Sequence, residues 1–406
     1  EQLTNTIKEQ YENSNYSCTG LWGSVGREDI ESAKNSTTIV LTYDKLHKLI
    51  EYIDIEEYTI FCDEYHQLVN DLSYRNKAMQ SIFGIISKAK YCVLMSATPN
   101  LMFTRPDVHP LFNFKLCQFT PQLTNKIEVQ PIVHTKSRNE ILGAINDFAP
   151  KNMRGTHCIK FDNNSSLEAF CTHTKSNLTA KNIEHLTSQD DKKRELNKTY
   201  NEIMQTGQLA RPLDYLVYTT LLEAGVSFKF EVGCISLLDV NSYSRLGQLC
   251  TRARMQSNGI NEKVQVNWFI KEKEESEQIE YTASAVDQFK AMFKKSTKHA
   301  NELNSCKNVR EEKAEIKKAT TDVQLWVCEN ASGVYEVNIL GILHELYKRE
   351  CQTCTPEIMQ LRIKRIDQRY TFLETINTDT EAQALKDLIS EVKLGNEECN
   401  DSFNKL

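Results

Sequence analysis

No apolar run in this 406-residue chain approaches the roughly 20 residues a bilayer-crossing helix needs, and no signal peptide is visible within it. A membrane role is therefore not expected. The cysteines are not paired in a framework. All 13 are scattered singly, and Cys62, Cys92, Cys158 and Cys234 lie inside apolar runs. That pattern suits buried reduced thiols and a cytoplasmic protein, not a disulfide scaffold. Cys351 and Cys354 have zinc-ligand spacing, but a zinc site needs a second pair and none follows. The histidines show no metal-ligand pairing, and no Ser or Cys sits in a nucleophile elbow. Internal repeats and low-complexity segments are absent as well.

Two further absences bear on function. The net charge is -6, which opposes a protein coated in basic surface but leaves room for a locally basic groove. No loop of the form G-x-x-x-x-G-K-[ST] occurs anywhere. The glycine-rich stretch 20–27 (Gly20, Gly23, Gly26, Arg27) follows no clear strand and carries no lysine, so it is not read as a phosphate cradle.

What is present is a soluble, globular composition, 40% hydrophobic and 26% charged, long enough for two or three domains. Short apolar runs at 38–42, 58–62, 91–95, 157–161, 215–218, 232–238 and 264–270 are rich in β-branched and aromatic residues. They read as strands buried on both faces, alternating with helices, which predicts an α/β protein with parallel sheets. Pro106, Pro110 and Pro121 fall in a connecting stretch. The expected division is 1–118, 119–272 and a mostly helical extension 273–406. Within that extension, Thr355, Pro356 and Glu357 form a helix start, and 385–392 has amphipathic spacing.

Four segments carry chemistry. The run 59–62 ends in Asp63-Glu64-Tyr65-His66. Two carboxylates at a strand's carboxyl end can divide labour, one organising Mg²⁺ directly or through water, the other polarising an attacking water. Alone, such a pair is most often a solvated helix start. The run 91–95 ends in Ser96-Ala97-Thr98-Pro99, whose hydroxyls could bond a neighbouring group or simply cap a turn. Thr219-Thr220-Leu221-Leu222-Glu223-Ala224-Gly225-Val226 offers a backbone turn or a close approach to phosphate. Gln248-Leu249-Cys250-Thr251-Arg252-Ala253-Arg254 offers two guanidinium groups that could stabilise charge on a transferring phosphoryl group, or merely a basic surface.

In this order the four segments resemble the motifs of superfamily two helicases of the DExH type. Asp63 to His66 resembles the Walker B motif, Ser96 to Thr98 motif III, Thr219 to Val226 motif V, and Gln248 to Arg254 motif VI. Residues 38–46 (TIVLTYDKL) resemble the turn that contacts a nucleic-acid backbone, 1–11 the helix after motif Ia, and 157–166 motif IV. The resemblance covers about residues 1–270 and implies two RecA-like lobes, the first N-terminally incomplete, plus the helical extension. It implies ATP and Mg²⁺ as cofactors, with Asp63 and Glu64 on the metal through water and Glu64 as general base. His66, Ser96 and Thr98 would couple nucleotide to nucleic acid. Glu223 and Gly225 would lie near the nucleotide, Gln248, Arg252 and Arg254 at its phosphates, and Thr42, Thr219 and Thr220 at nucleic acid. Thr251 stands where many members have glycine, and Ser227 where many have aspartate. The arginines are spaced R-x-R, similar to origin-binding replication helicases and to the RNA-sensing helicases of innate immunity. Together with the similarity of 42–49 (TYDKLHKL) to the origin-binding type, the R-x-R ending implies DNA in preference to RNA, a role in viral, phage or plasmid replication, and replication proteins as partners of the extension. The family's Walker A loop would precede Glu1. The competing reading is a catalytically inactive clamp that binds nucleic acid or a partner.

Overall fold

The computed structural model describes residues 17–70, 72–117, 124–134, 145, 148, 154–161, 164–177, 182–187, 197–219, 222, 226–238, 240–271, 285–305, 326–330, 332–352 and 355–377. The chain divides into two compact units, Glu1–Thr120 with Gln278–Cys354, and Pro121–Glu277 with Thr355–Leu406. Both are built on parallel strands joined by helices, the class expected for RecA-like lobes.

In the first unit, β1 (Cys18–Leu21) is followed by α1 (Arg27–Lys34), β2 (Thr38–Leu41) and α2 (Tyr43–Leu49). β3 (Thr59–Asp63), α3 (Gln67–Asn70), α4 (Leu72–Ile86) and β4 (Tyr91–Met95) complete its N-terminal part. β1 pairs with β2 and β3 with β4, each pair parallel and separate from the other. Successive side chains of a strand face opposite sides. Ile60, Cys62, Cys92 and Leu94 therefore turn into a core with Leu68, Val69, Met79, Ile82, Phe103 and Phe112. The opposite face differs from the expected two-sided burial: Phe61 is 66% exposed and Tyr91 63%, with Val93 and Met95 also open.

The second unit holds β5 (Lys126–His134), β6 (Thr156–Lys160), α5 (Asn164–Asn177), β7 (Ile183–Leu186) and α6 (Lys198–Thr206). It continues with β8 (Tyr215–Tyr218), β9 (Val232–Leu238), α7 (Tyr243–Cys250) and β10 (Lys263–Lys271). Across the sheet the order is β5-β10-β9-β6-β8-β7, parallel throughout. Here β6, β8 and β9 are buried on both faces, as their apolar runs require. Ile132, Ile159, Phe161, Phe170, Val217 and Phe269 form part of the core.

The stretch after 272, expected as a separate helical extension, is shared between the units. α8 (Ala285–Ser305), an antiparallel pair β11 (Val327–Glu329) and β12 (Tyr335–Val337), and α9 (Ile339–Gln352) belong to the first. Phe289 of α8 packs edge-on to Phe112 with ring centroids 5.4 Å apart. Thr355 caps α10 (Pro356–Ile366), which joins the second unit with β13 (Tyr370–Phe372) and β14 (Ile376–Asn377). These two short strands extend the large sheet beside β5. β13 pairs with Ile127 to Val129 and β14 with Ile132 and Val133, so Pro131 falls in the break between them. A proline has no ladder donor, and the broken partner spares it the need for one. The amphipathic stretch 385–392 lies outside the described residues.

Candidate functional site

The first cluster forms where β3 and β4 end side by side, with Asp63 registered opposite Met95. After β3 the chain turns sharply. Glu64 has φ 52, a left-handed conformation that costs a residue with a Cβ about 1–2 kcal/mol. Strain of this kind persists where neighbours over-determine the backbone. Here they do. Glu64 N donates to Asp63 Oδ1 at 3.1 Å, and Tyr65 N donates to Met95 O at 3.2 Å. The Tyr65 hydroxyl donates to Asn100 O at 3.2 Å, and its ring meets Phe103 edge-on at 5.3 Å. Tyr43, at the start of α2, donates its hydroxyl to Asp63 O and lies 3.2 Å from Cys62 Sγ. Burial raises the Tyr43 hydroxyl and pushes the Cys62 thiol up to about 12. Both stay neutral at ordinary pH.

The two strand-end motifs meet through side chains. His66 Nδ1 lies 3.0 Å from Ser96 Oγ and 3.4 Å from Glu64 Oε2, and His66 is 5% exposed. Ser96 Oγ also accepts from Thr98 N at 3.0 Å. Thr98 Oγ1 is buried with no hydrogen-bond partner among the described residues. Asp63, Glu64, His66, Ser96 and Thr98 are thus brought together in one unit. Tyr43 and Tyr65 hold the turn, a role the sequence did not assign them; Tyr65 is adjacent to Glu64 in the chain, whereas Tyr43 reaches the turn only through the tertiary fold.

Asp63 is exposed at the carboxyl end of its strand. Among the described residues no group of three or more His, Cys, Asp or Glu could cage a metal. Mg²⁺ needs no such cage, because it keeps several waters and takes one or two carboxylates plus substrate phosphates. The residues present fit that mode.

The glycine-rich stretch 20–27 begins within a strand, β1, and runs to the start of a helix, α1. Its chemistry nevertheless disfavours an anion there. Gly26 N is already donated to Asp29 Oδ2 at 2.8 Å, and Glu28 and Asp29 place negative charge in the first turn. Thr42, by contrast, is exposed at the N-cap of α2.

In the second unit, Gln248 sits on α7 with 7% exposure and Arg252 just beyond it with 6%. Arg252, expected at the ATP phosphates, is buried with Nη1 donating to Val226 O at 2.8 Å. Arg254 is exposed, with Nε on Ser227 Oγ at 3.3 Å. Thr251 has φ −85, an ordinary value, and its hydroxyl bonds Gln248 O at 3.0 Å. Glycine is not required there. Thr219, expected at nucleic acid, is 2% exposed, since its amide continues the ladder to Leu186 O at 3.2 Å. Thr220, Glu223 and Gly225 lie outside the described residues, as does 1–11. Trp268 is fully buried and donates to Val240 O at 2.8 Å, which makes it core. Trp22 is 38% exposed. Among the described residues no helix is long and apolar enough to cross a membrane.

No protein-family profile matches the chain, and no curated protein matches it in sequence. Similar solved structures include Dbp5 of S. cerevisiae bound to RNA and ADP BeF3, with 12% identity, TM-score 0.46, and 67% of this chain and 68% of that chain covered. The Mycobacterium smegmatis helicase Lhr bound to ssDNA and AMP-PNP has 10% identity and TM-score 0.42, with 89% of this chain matching 50% of that one. RecG bound to a three-way DNA junction has 13% identity, TM-score 0.41, and 86% and 42% coverage.

Proposed function

We propose that the complete polypeptide hydrolyses ATP in response to nucleic acid and uses the cycle to translocate on, or unwind, DNA or RNA. The observation that carries this reading is the 3.0 Å contact between His66 Nδ1 and Ser96 Oγ, made beside the strained Glu64. A structural turn has no need to strain a glutamate, nor to couple a histidine to the end of the next strand. A site that polarises a water and reports the nucleotide's state needs both.

In this reading Mg²⁺, when bound with ATP, neutralises phosphate charge. Asp63 orients it, directly or through water. Glu64 accepts the proton of the attacking water. His66 holds Glu64 on one side and Ser96 on the other, so a change at Glu64 is transmitted to the segment Ser96 to Thr98. Arg254, the exposed arginine, supplies positive charge toward the transferring phosphoryl group, with Arg252 fixing the backbone beneath it. Thr42 supports a contact to the nucleic-acid backbone. Phosphate contacts carry little sequence preference. The similarity of 42–49 (TYDKLHKL) and of the R-x-R ending to origin-binding helicases supports DNA over RNA and a role in viral, phage or plasmid replication. Replication proteins are then the candidate partners of the C-terminal segments.

A second reading is a nucleic-acid or partner clamp without turnover. It is favoured by the absence of a G-x-x-x-x-G-K-[ST] loop within these 406 residues. ATPase measurement with and without single-stranded DNA or RNA separates the two. The 406-residue chain is compared with a form extended through any upstream G-K-[ST] loop. The motor reading expects activity only in the extended form, stimulated by the true polymer and abolished by Glu64→Gln. An inert extended form, or a gene with no such loop upstream, would leave the clamp.

A further inference from the structure

The arginine-bearing segment Gly247 to Arg254 is held by its carbonyl oxygens. Gly247 O accepts from the Tyr370 hydroxyl at 2.9 Å, and Arg252 O from Phe228 N at 2.6 Å. Ala253 O accepts from Asn125 Nδ2 at 2.6 Å, and Arg254 O from Asn261 Nδ2 at 3.2 Å and Gln256 Nε2 at 3.0 Å. Two of these grips trace to the C-terminal segment. Tyr370 is one. Asn125 is the other, because its Oδ1 accepts from Arg369 Nη1 at 3.2 Å. Arg369 is itself clamped by Asp367 through Nε at 3.0 Å and Nη2 at 2.6 Å. The backbone closes the same loop: Ile127 N donates to Arg369 O at 3.1 Å, in the parallel pairing of β13 with β5. Tyr370 is 3% exposed and Asn125 4%, so neither contact competes with water.

A bidentate Arg–carboxylate fork is geometrically exacting. A buried Asn whose donor and acceptor are both engaged cannot rotate without losing both. The fork thus fixes the Asn125 amide, and the amide fixes Ala253, the residue between the two arginines. We infer that the C-terminal segment Asp367 to Tyr370 is a positioning device for Arg254, acting through Asn125 and directly on the end of α7. It follows that a partner drawing this segment off the sheet would loosen Arg254 and lower turnover. This inference rests on the proposed ATPase only in its last step; the holding of the segment does not.

The test uses two readouts. In the intact 406-residue chain, hydrogen exchange is followed at the amides of residues 247–254. Tyr370→Phe and Asn125→Ala each remove one grip, and a hydrogen bond of ordinary strength predicts about a five- to ten-fold faster exchange there. Amides of β8 and β9 should not change, nor should any amide in the control Leu361→Ala, at an exposed position of α10. In a form extended through an upstream phosphate loop, Tyr370→Phe should lower kcat several-fold at unchanged KM, since the group acts through Arg254 and touches no substrate. Unchanged exchange at 247–254, or a rise spread evenly over the whole sheet, overturns the inference, as does a change in KM alone. If the unaltered extended form has no ATPase while exchange rises as expected, the proposed function falls and the positioning role stands.

Discussion

The left-handed Glu64 gives the most direct handle on the site. Glu64→Ala and Glu64→Gly remove the same carboxylate. They differ in the backbone. At φ 52 alanine retains the Cβ penalty of about 1–2 kcal/mol, whereas glycine sheds it. Glycine in turn loosens the unfolded chain, at a cost of about 0.4–1 kcal/mol. The balance leaves Glu64→Gly more stable than Glu64→Ala by about 0.5–1 kcal/mol. Urea unfolding can resolve that. With a slope of about 2 kcal/mol per molar, the midpoints should differ by roughly 0.3–0.5 M. Trp22 and Trp326 lie in the first unit and Trp268 in the second, so fluorescence of a Trp268→Phe background reports on the first alone. Both variants should be inactive in an ATP-hydrolysing form. Equal midpoints, or a more stable alanine variant, would show that the turn does not impose the left-handed backbone, and the argument from strain to function would collapse.

Other expectations follow from burial and charge. Arg252→Ala should destabilise the second unit by about 2–3 kcal/mol, because it removes a buried charged donor from Val226 O, whereas Arg254→Ala should cost under about 0.5 kcal/mol yet abolish nucleic-acid-stimulated hydrolysis; the reverse pattern in unfolding and ATPase assays would exchange their roles. Burial pushes His157 down to about 4 from its ordinary 6.5, so between those values the unfolded chain binds more protons than the folded one. Its contribution is complete above pH 6.5 and is lost as pH falls toward 4, about 2 kcal/mol of it between pH 7 and 5. Unfolding followed through Trp268 should show this slope in the wild type and a flatter one in His157→Leu. Phe61→Ser, on the open face of β3, should shift the first unit's midpoint by less than about 0.5 kcal/mol; a loss of several kcal/mol would mean that face is covered.

Much of the scaffold was legible in local pattern. The runs at 91–95, 215–218 and 232–238 coincide with β4, β8 and β9, and the other four runs fall within a residue of β2, β3, β6 and β10. β5 was missed because Lys126, Glu128, Gln130 and Pro131 break its apolar run, and β7 because Glu184 and His185 do the same. β13 and β14 are three and two residues long, too short to leave a periodic signal. The exposed face of β3 and β4 could not be read either, since an apolar run is the same whether one or both of its faces are covered.

The sequence by itself determined the parallel α/β class and the order of the strand-end motifs, because burial of a strand on both faces demands contiguous β-branched and aromatic residues and the chemistry of a motif is carried by adjacent residues. The tertiary structure decided which of those groups meet. His66 and Ser96 are thirty positions apart and come within hydrogen-bond reach because two parallel strands end in register. Asn125 and Ala253 are 128 apart, and Arg369 reaches Asn125 over 244 positions because a short terminal strand finds the open side of β5. Adjacency across a sheet is set by packing and pairing of the whole chain, and no local pattern encodes it.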